Sequence, residues 1–519
     1  MPPQESTTDH GLPEQLLFDL SECVAGQMGL HFPRERWREL ESGIRSAARE
    51  LGIAEVTSWI RRLSSSPLTK HQVEILASEL TIGETYFLRD KRGFEILGAR
   101  VLPELIRARR GIAQRLRIWS AGCCTGEEAY SLAILLERTL PDLSDWQVTI
   151  LATDINPRFL QKAADGVFGE WSFRDAPAWL KERYFQPVAG SRYAILPRIR
   201  ERVTFACLNL AEDVYPSLAS NTNAMDLILC RNVLMYFAPD RAGKVVDSFR
   251  RSLVEGGWLA VSAVETCSRL FSQFVPVSFD SAVLYKKEDQ PLPTSQPTFA
   301  SDTPVAAFQP DAFASLPSTF TFTAATPEPA FAIESLEQPA AKRQLRDAEN
   351  ERARYEEALL LFERGKYLEA ASCLRGHLGE DAAAPTLEGL TLLARIYANL
   401  GDLSEAHRWA ESVIAADKTN PASHYLRAMI LQEQGVTDEA SASLRRTLYL
   451  DPDFPLAHFA LGNIARQQGR RKEASRHFAN VLSLLKDHGD SDVLAHSDGM
   501  VAGRLREMIQ AILLTDVAA

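Results

Sequence analysis

Between residues 34 and 51 the apolar side chains fall at Trp37, Leu40, Ile44 and Leu51, the spacing of one helical face, and the first 80 residues read as helices. From residue 115 the pattern changes to short apolar runs. Arg115–Ser120, Val148–Thr153, Val203–Leu208, Asp226–Cys230, Trp258–Val264 and Val277–Tyr285 predict strands, with helical stretches between them. The first strand runs into Ala-Gly-Cys-Cys-Thr-Gly (121–126), and Glu127–Leu140 is predicted to be a helix. A strand, a glycine-bearing turn and a helix open the ligand crevice of a doubly wound α/β sheet, whose ligands sit at the carboxyl ends of the strands. Polar residues gather at those ends: Asp154 after the second strand, Asn209-Leu210 after the third, Arg231-Asn232 after the fourth.

A second periodicity follows. Gly401, Gly435 and Gly469 are spaced 34 residues apart, Ala406, Ala440 and Ala474 keep the step, and so do Pro421 and Pro455. An earlier unit carries Gly365, Tyr367 and Ala370. This period resembles the tetratricopeptide repeat, in which a small Ala lets paired helices approach and Gly ends the first of them. Val501, Leu505, Met508 and Ile512 share one face and predict a capping helix for the solenoid.

Between the two regions, nine of the 27 prolines fall from Pro291 to Pro339, and no Lys or Arg occurs between Lys287 and Lys342. Residues 288–345 are therefore expected to be a disordered linker, spanning roughly 40 Å as a flexible chain. The expected division is a helical domain at 1–80, an α/β domain at 81–287, the linker, repeats at 346–484 and a capping helix at 485–519. Such a linker favours a solenoid that works as a tether over one folded back across the active site.

Composition narrows the function. With 519 residues, 24% charged and 45% hydrophobic, the chain is globular and multidomain, and its net charge of -11 argues against general nucleic-acid binding. Seven cysteines, none in a C-x-x-C pair, indicate neither a zinc site nor a disulfide framework, and no metal is expected. The first residues carry no signal-peptide pattern and no run of 18 apolar residues occurs, so a cytoplasmic protein without membrane insertion is expected. Arg34, Arg38, Arg45 and Arg49 fall on one side of the first long helix, away from its apolar face. They are either a solvated face or a docking stripe for an acidic helix.

The crevice selects its ligand by what it lacks. Gly122 and Gly126 have no third glycine and no Walker lysine, which argues against a dinucleotide or ATP. Asp154 suits a ribose diol, and a nucleoside without a pyrophosphate, such as S-adenosylmethionine, needs that contact but not the phosphate loop. Read in isolation, Asp154 is first a cap for a helix starting at Pro157; together with the glycine turn it points to the ribose.

Four segments together carry a resemblance: Gly-Glu-Thr-Tyr-Phe-Leu-Arg-Asp (83–90), Ile-Trp-Ser-Ala-Gly-Cys-Cys-Thr-Gly-Glu-Glu-Ala-Tyr-Ser (118–131), Ala-Thr-Asp-Ile-Asn (152–156) and Cys-Arg-Asn-Val-Leu-Met-Tyr-Phe (230–237). From the N-terminal helices to about residue 287 the chain resembles the CheR-type methyltransferases. With its repeats it resembles their tetratricopeptide-fused subgroup, typified by WspC and FrzF. The resemblance implies a Rossmann-like methyltransferase domain with a small β-subdomain near 173–203. It implies S-adenosylmethionine as methyl donor, and glutamate side chains of a chemoreceptor-like protein as acceptors. By position it implies that Thr85, Arg89, Glu128, Asp154, Asn209, Leu210, Arg231 and Asn232 contact the cofactor, and that Arg89 and Tyr236 act at the reacting centre. It also implies that the arginine stripe meets the receptor, while the solenoid takes another protein partner. One departure is visible: the enteric-type members have Asn where this chain has Gly83. The β-subdomain loop is also shorter than in members that dock on a receptor's C-terminal pentapeptide, so pentapeptide-independent docking is expected. The competing readings are a non-catalytic scaffold and a methyltransferase for nucleic acid or small molecules. Exocyclic-amine methyltransferases usually show Asn/Asp-Pro-Pro-Tyr after the fourth strand, where this chain has Arg-Asn-Val-Leu-Met-Tyr.

Overall fold

The computed structural model describes residues 11–288, 339–375 and 386–517, apart from 213, 280, 281 and 498. Most of the expected linker, residues 289–338, lies outside the described residues. Its last part does not: a helix spans Pro339–Glu363, starting inside the predicted linker. Pro suits a first helical position, and the Ala-Ala-Lys-Arg-Gln-Leu that follows consists of good helix formers.

The central sheet is built from β1 (Arg115–Ala121), β2 (Gln147–Asp154), β6 (Val203–Cys207), β7 (Met225–Leu229), β8 (Leu253–Ala260), β9 (Val275–Phe279) and β10 (Ala282–Lys286). Their order is β6-β2-β1-β7-β8-β10-β9. The first five are parallel, and β10 and β9 close the far edge antiparallel. β1 is buried along its whole length, Arg115, Arg117 and Ser120 included, as a central strand covered on both faces is. The order reverses between β1 and β7, the switch point where an open sheet leaves a crevice. A second, three-stranded antiparallel sheet joins β3 (Val167–Gly169), β5 (Arg192–Ile195) and β4 (Phe185–Val188). It is the expected β-subdomain, begun six residues earlier.

Two predicted strands differ. Val277–Tyr285 is not one strand but falls on two antiparallel strands, β9 and β10. The expected Trp258–Val264 strand ends at Ala260, where Ser262 and Glu265 form a capping box over a short 3-10 turn.

Four helices, Glu14–Met28, Trp37–Glu50, Val56–Ser65 and Lys70–Leu80, close over a core that includes Leu20, Leu40, Ile44 and Leu76. They are pinned to the carboxyl ends of the sheet. Asn156 Nδ2 donates to Ala77 O and Thr81 Oγ1, and Asn209 Nδ2 donates to Gln27 O at 2.9 Å. His31 N donates to Tyr236 O at 2.7 Å.

Among the described residues the repeats form three packed helix pairs, Leu387–Leu400 with Leu403–Ala416, Pro421–Glu433 with Thr437–Leu450, and Pro455–Gln467 with Arg471–Leu484, preceded by the helix Tyr367–Arg375. Ala370, Ala406, Ala440 and Ala474 are all buried, as the close helix approach requires. The solenoid does not hang free. Arg115, the first residue of β1, donates to Glu433 Oε2 at 3.2 Å, and Glu433 Oε1 accepts from Asn223 Nδ2 at 2.8 Å. Arg115 also donates to Gly401 O, and Leu218 and Ala219 pack on the solenoid core. These contacts lie at the amino ends of the strands, so the solenoid is neither a loose tether nor a cover for the crevice. The last helix, Ala502–Val517, starts well beyond the expected boundary at 485. It does more than cap. Leu505 and Ile509 join the solenoid core, while the same helix packs on β6 and Arg504 donates to Cys207 O.

Candidate active site

The turn after β1 builds one wall. Gly122 has φ +82, and a Cβ there would lie 2.4 Å from Val233 Cγ2, so only glycine fits. Gly122 N and Cys123 N donate to Thr153 O, which ties the turn to the end of β2. Burial raises both neighbouring thiols, Cys124 to about 12, so they are inert fillers rather than nucleophiles.

Asp154 ends β2 and is buried. Its Oδ2 accepts from Cys124 N at 2.8 Å and its Oδ1 from Asn156 N at 2.9 Å. Burial pushes its pKa up from 3.8 to about 6, against the lowering effect of these N–H groups. It does not cap the helix Pro157–Asp165. Asn156 does, accepting from Arg158 N and Phe159 N. Each Asp154 oxygen therefore keeps acceptor capacity for a pair of hydroxyls.

Next to it lies an ion pair. Glu128, in the first turn of the helix Glu127–Thr139, accepts from Ser120 Oγ at 2.7 Å and from Arg231 at 3.4 Å. Burial raises the Glu128 carboxyl, and Arg231 opposes the shift. Arg231, its side chain 5% exposed, also reaches Asp90 Oδ2 at 3.2 Å and Arg89 O at 2.7 Å.

All nine residues singled out in the sequence, from Thr85 and Arg89 to Tyr236, line one cavity at the sheet's switch point. Their states differ. The Arg89 guanidinium donates to Glu84 O. Asn232 is held at φ +59 by its N–H bond to Glu265. Asn209 spends its side chain on Gln27 O, Glu212 and Ala211 N, so it clamps the helical domain to the sheet. Leu210 contributes an apolar wall, its carbonyl bonded by the Tyr215 hydroxyl.

The arginine stripe is less uniform than the helical wheel implies. Arg34 sits in a 3-10 turn before the helix and donates twice to Glu14. Arg45 pairs with Glu41, and Arg49 donates to Arg45 O. Arg38 is exposed. The neighbouring Arg36 instead turns inward, lining the cavity 5.5 Å from the Tyr236 ring.

Several contributors escape a reading of the sequence. Glu265 holds the 232–235 loop by accepting from Asn232 N, Val233 N and Met235 N; its Ser-x-x-Glu spacing was the available signal. Phe159 explains Gly83: a Cβ at Gly83 would stand 2.8 Å from the Phe159 ring, which fills the space a larger side chain would take. Arg36 carries no local signal at all. Among the described residues no cluster of three or more His, Cys, Asp or Glu could hold a metal ion.

Comparison with known proteins names this arrangement. The CheR methyltransferase, SAM binding domain, matches residues 83–283, and tetratricopeptide repeats match 387–412 and 457–491. "Chemotaxis protein methyltransferase 2" of Vibrio cholerae is 35% identical over 216 residues, covering 42% of this chain and 73% of that protein. The chain belongs to the CheR methyltransferase family. "Chemotaxis protein methyltransferase 1" of Pseudomonas aeruginosa is 36% identical, over 41% of this chain and 77% of its own length. Among solved structures, MamA covers 28% of this chain and 84% of itself at 18% identity, with a TM-score of 0.25, a value that carries no assignment. This CheR-family chain is thus a protein methyltransferase with a domain for S-adenosylmethionine and a repeat region. No described helix is long and apolar enough to cross a membrane.

Proposed function

We propose that the protein transfers a methyl group from S-adenosylmethionine to glutamate side chains of a chemoreceptor-like protein, giving methyl esters. The observation that carries this reading is that Asp154, the Glu128–Arg231 pair, Arg89 and Tyr236 all line one cavity. A nucleoside joined to a zwitterionic amino acid needs these partners: a carboxylate for the ribose diol, and one anion beside one cation. Asp154 supplies the first, and the Glu128–Arg231 pair supplies the second and third. Phe159, Ile155 and Leu208 offer apolar surface for a base.

When bound, the sulfonium supplies an already activated methyl group. A glutamate acceptor is ionised at neutral pH and needs no general base. What remains for the protein is placement and exclusion of water. The helical domain roofs the crevice, Tyr236 holds the acceptor oxygen in line, and Arg89 forks onto a carboxylate. Exposed Arg38 and Arg49 add positive charge to the outer face of the roof, facing an acidic receptor helix. The solenoid holds a protein partner.

Incubating the protein with methyl-labelled S-adenosylmethionine and receptor cytoplasmic domains tests the reaction. Label released as methanol by mild base is expected. Label stable to base on every receptor offered rules out ester formation.

A further inference from the structure

A second cavity, about 940 Å³, lies between the methyltransferase domain and the first solenoid repeats, on the far side of Leu210 from the cofactor crevice. Its walls are residues 210–212 and 215–218, the helix Pro239–Ser252, the end of the helix Pro339–Glu363 and the helix Leu387–Leu400. Arg241, Lys244, Arg250, Arg251, Arg364 and Arg395 line it, against Glu212, Asp247 and Glu363. Six cations face three anions in a chain whose net charge is -11. The concentration of positive charge runs against the rest of the molecule, and it stands whatever bonds the individual arginines make.

A second observation is independent of charge. Asn399, 6% exposed, lines the same cavity, and its Oδ1 meets no hydrogen-bond donor. A buried acceptor without a donor is costly until a ligand or a water completes it. Fully ionised phosphates and carboxylates carry no donor. Tyr215, Leu218 and Phe362 add apolar wall. An acidic polypeptide with an aromatic side chain brings negative charge, N–H donors and apolar surface together.

We propose that this cavity binds an acidic peptide segment of a partner protein, its carboxylates met by the cations and one backbone N–H by Asn399. The site is separate from the cofactor crevice and does not depend on which residue the enzyme methylates. A bound peptide would bridge the two domains and press on the loop that carries Leu210.

Fluorescence anisotropy of the full-length protein with a capped, Glu-rich peptide containing Phe tests this. Saturable binding is expected, weakened about tenfold by Lys244→Glu or Arg364→Glu and by raised salt, and lost when every Glu of the peptide is Gln. Both residues are exposed, so these variants fold. Asn399→Ala should weaken the peptide several-fold while leaving inorganic polyphosphate binding unchanged. No binding to the full-length protein, binding indifferent to both charge reversals, or polyphosphate binding as tight as the peptide's would each overturn the proposal.

Discussion

The two ends of one sheet are used in opposite ways. At the carboxyl ends the strands stop at polar residues whose capacity is left open: Asp154 keeps acceptor sites, and the Glu128–Arg231 pair borders a cavity. At the amino ends the polar residues are closed off. Arg115 and Glu433, 5% and 8% exposed, satisfy one another with Asn223, and buried Arg117 is consumed by Asn221 O, Asn223 O and the Asp226 carboxylate on its N–H. Both ends bury charge. One end leaves it poised for a ligand, and the other uses it to fix a partner domain, so burial of ionisable groups alone does not identify a site.

The sharpest way to break this contrast is at the closed end. Glu433→Ala leaves Arg115 buried without its carboxylate and Asn223 without its acceptor. We expect a loss of about 3–5 kcal/mol, read as a lower Tm and faster proteolysis of the repeats. Cofactor affinity should stay unchanged; a cofactor defect equal to the stability defect would show that the two ends are not independent. At the open end, Asp154→Ala should weaken S-adenosylmethionine about 10- to 100-fold, or about 1.5–3 kcal/mol, with little change in Tm. Titration calorimetry that finds normal affinity would reduce Asp154 to a backbone tie.

The pH dependence sharpens the same point. With a folded pKa of about 6 against 3.8, the Asp154 carboxylate favours the folded apo protein fully below pH 3.8, and that contribution is lost as pH rises through about 6. Ribose hydroxyls donate to the ionised form, so cofactor affinity should move the other way, falling about tenfold from pH 7 to pH 5. A flat affinity profile would mean that no ligand group donates to Asp154. A smaller effect is expected from Tyr236→Phe, which removes one orienting hydroxyl worth about 1 kcal/mol. Turnover should drop about fivefold with cofactor affinity intact, and a variant with normal turnover would remove Tyr236 from the reaction. The smallest effect belongs to the exposed roof: Arg38→Glu with Arg49→Glu should raise the receptor KM at low salt and not at high salt. An unmoved KM at low salt would make this face plain solvated surface.

How far the sequence could be read follows the same division. The crevice was legible because its parts are consecutive: strand, turn and helix at 115–139, or the tight Cys-Arg-Asn-Val-Leu-Met-Tyr-Phe run. The repeats were legible because Ala406, Ala440 and Ala474 recur. The docked solenoid was not. Its contacts join residues such as Arg115 and Glu433, separated by 318 positions, each an ordinary surface charge when read alone. The linker's composition pointed to a loose tether, and nothing local encodes where a tethered body lands. The inward turn of Arg36, set by the 3-10 step at Arg34–Arg36, was hidden for a related reason. A helical wheel drawn straight through that step assigns the wrong face.

The helix Ala502–Val517 lies along β6, an outer strand of the sheet, and Arg504 donates to Cys207 O across 297 positions of sequence. On the ribosome, the strand is made long before its cover. At about 5–20 residues per second, β6 waits roughly 15–60 seconds for that helix. During that interval its outer row of backbone groups is open to pairing with another nascent chain. The order of synthesis thus makes the youngest helix the guardian of an old edge.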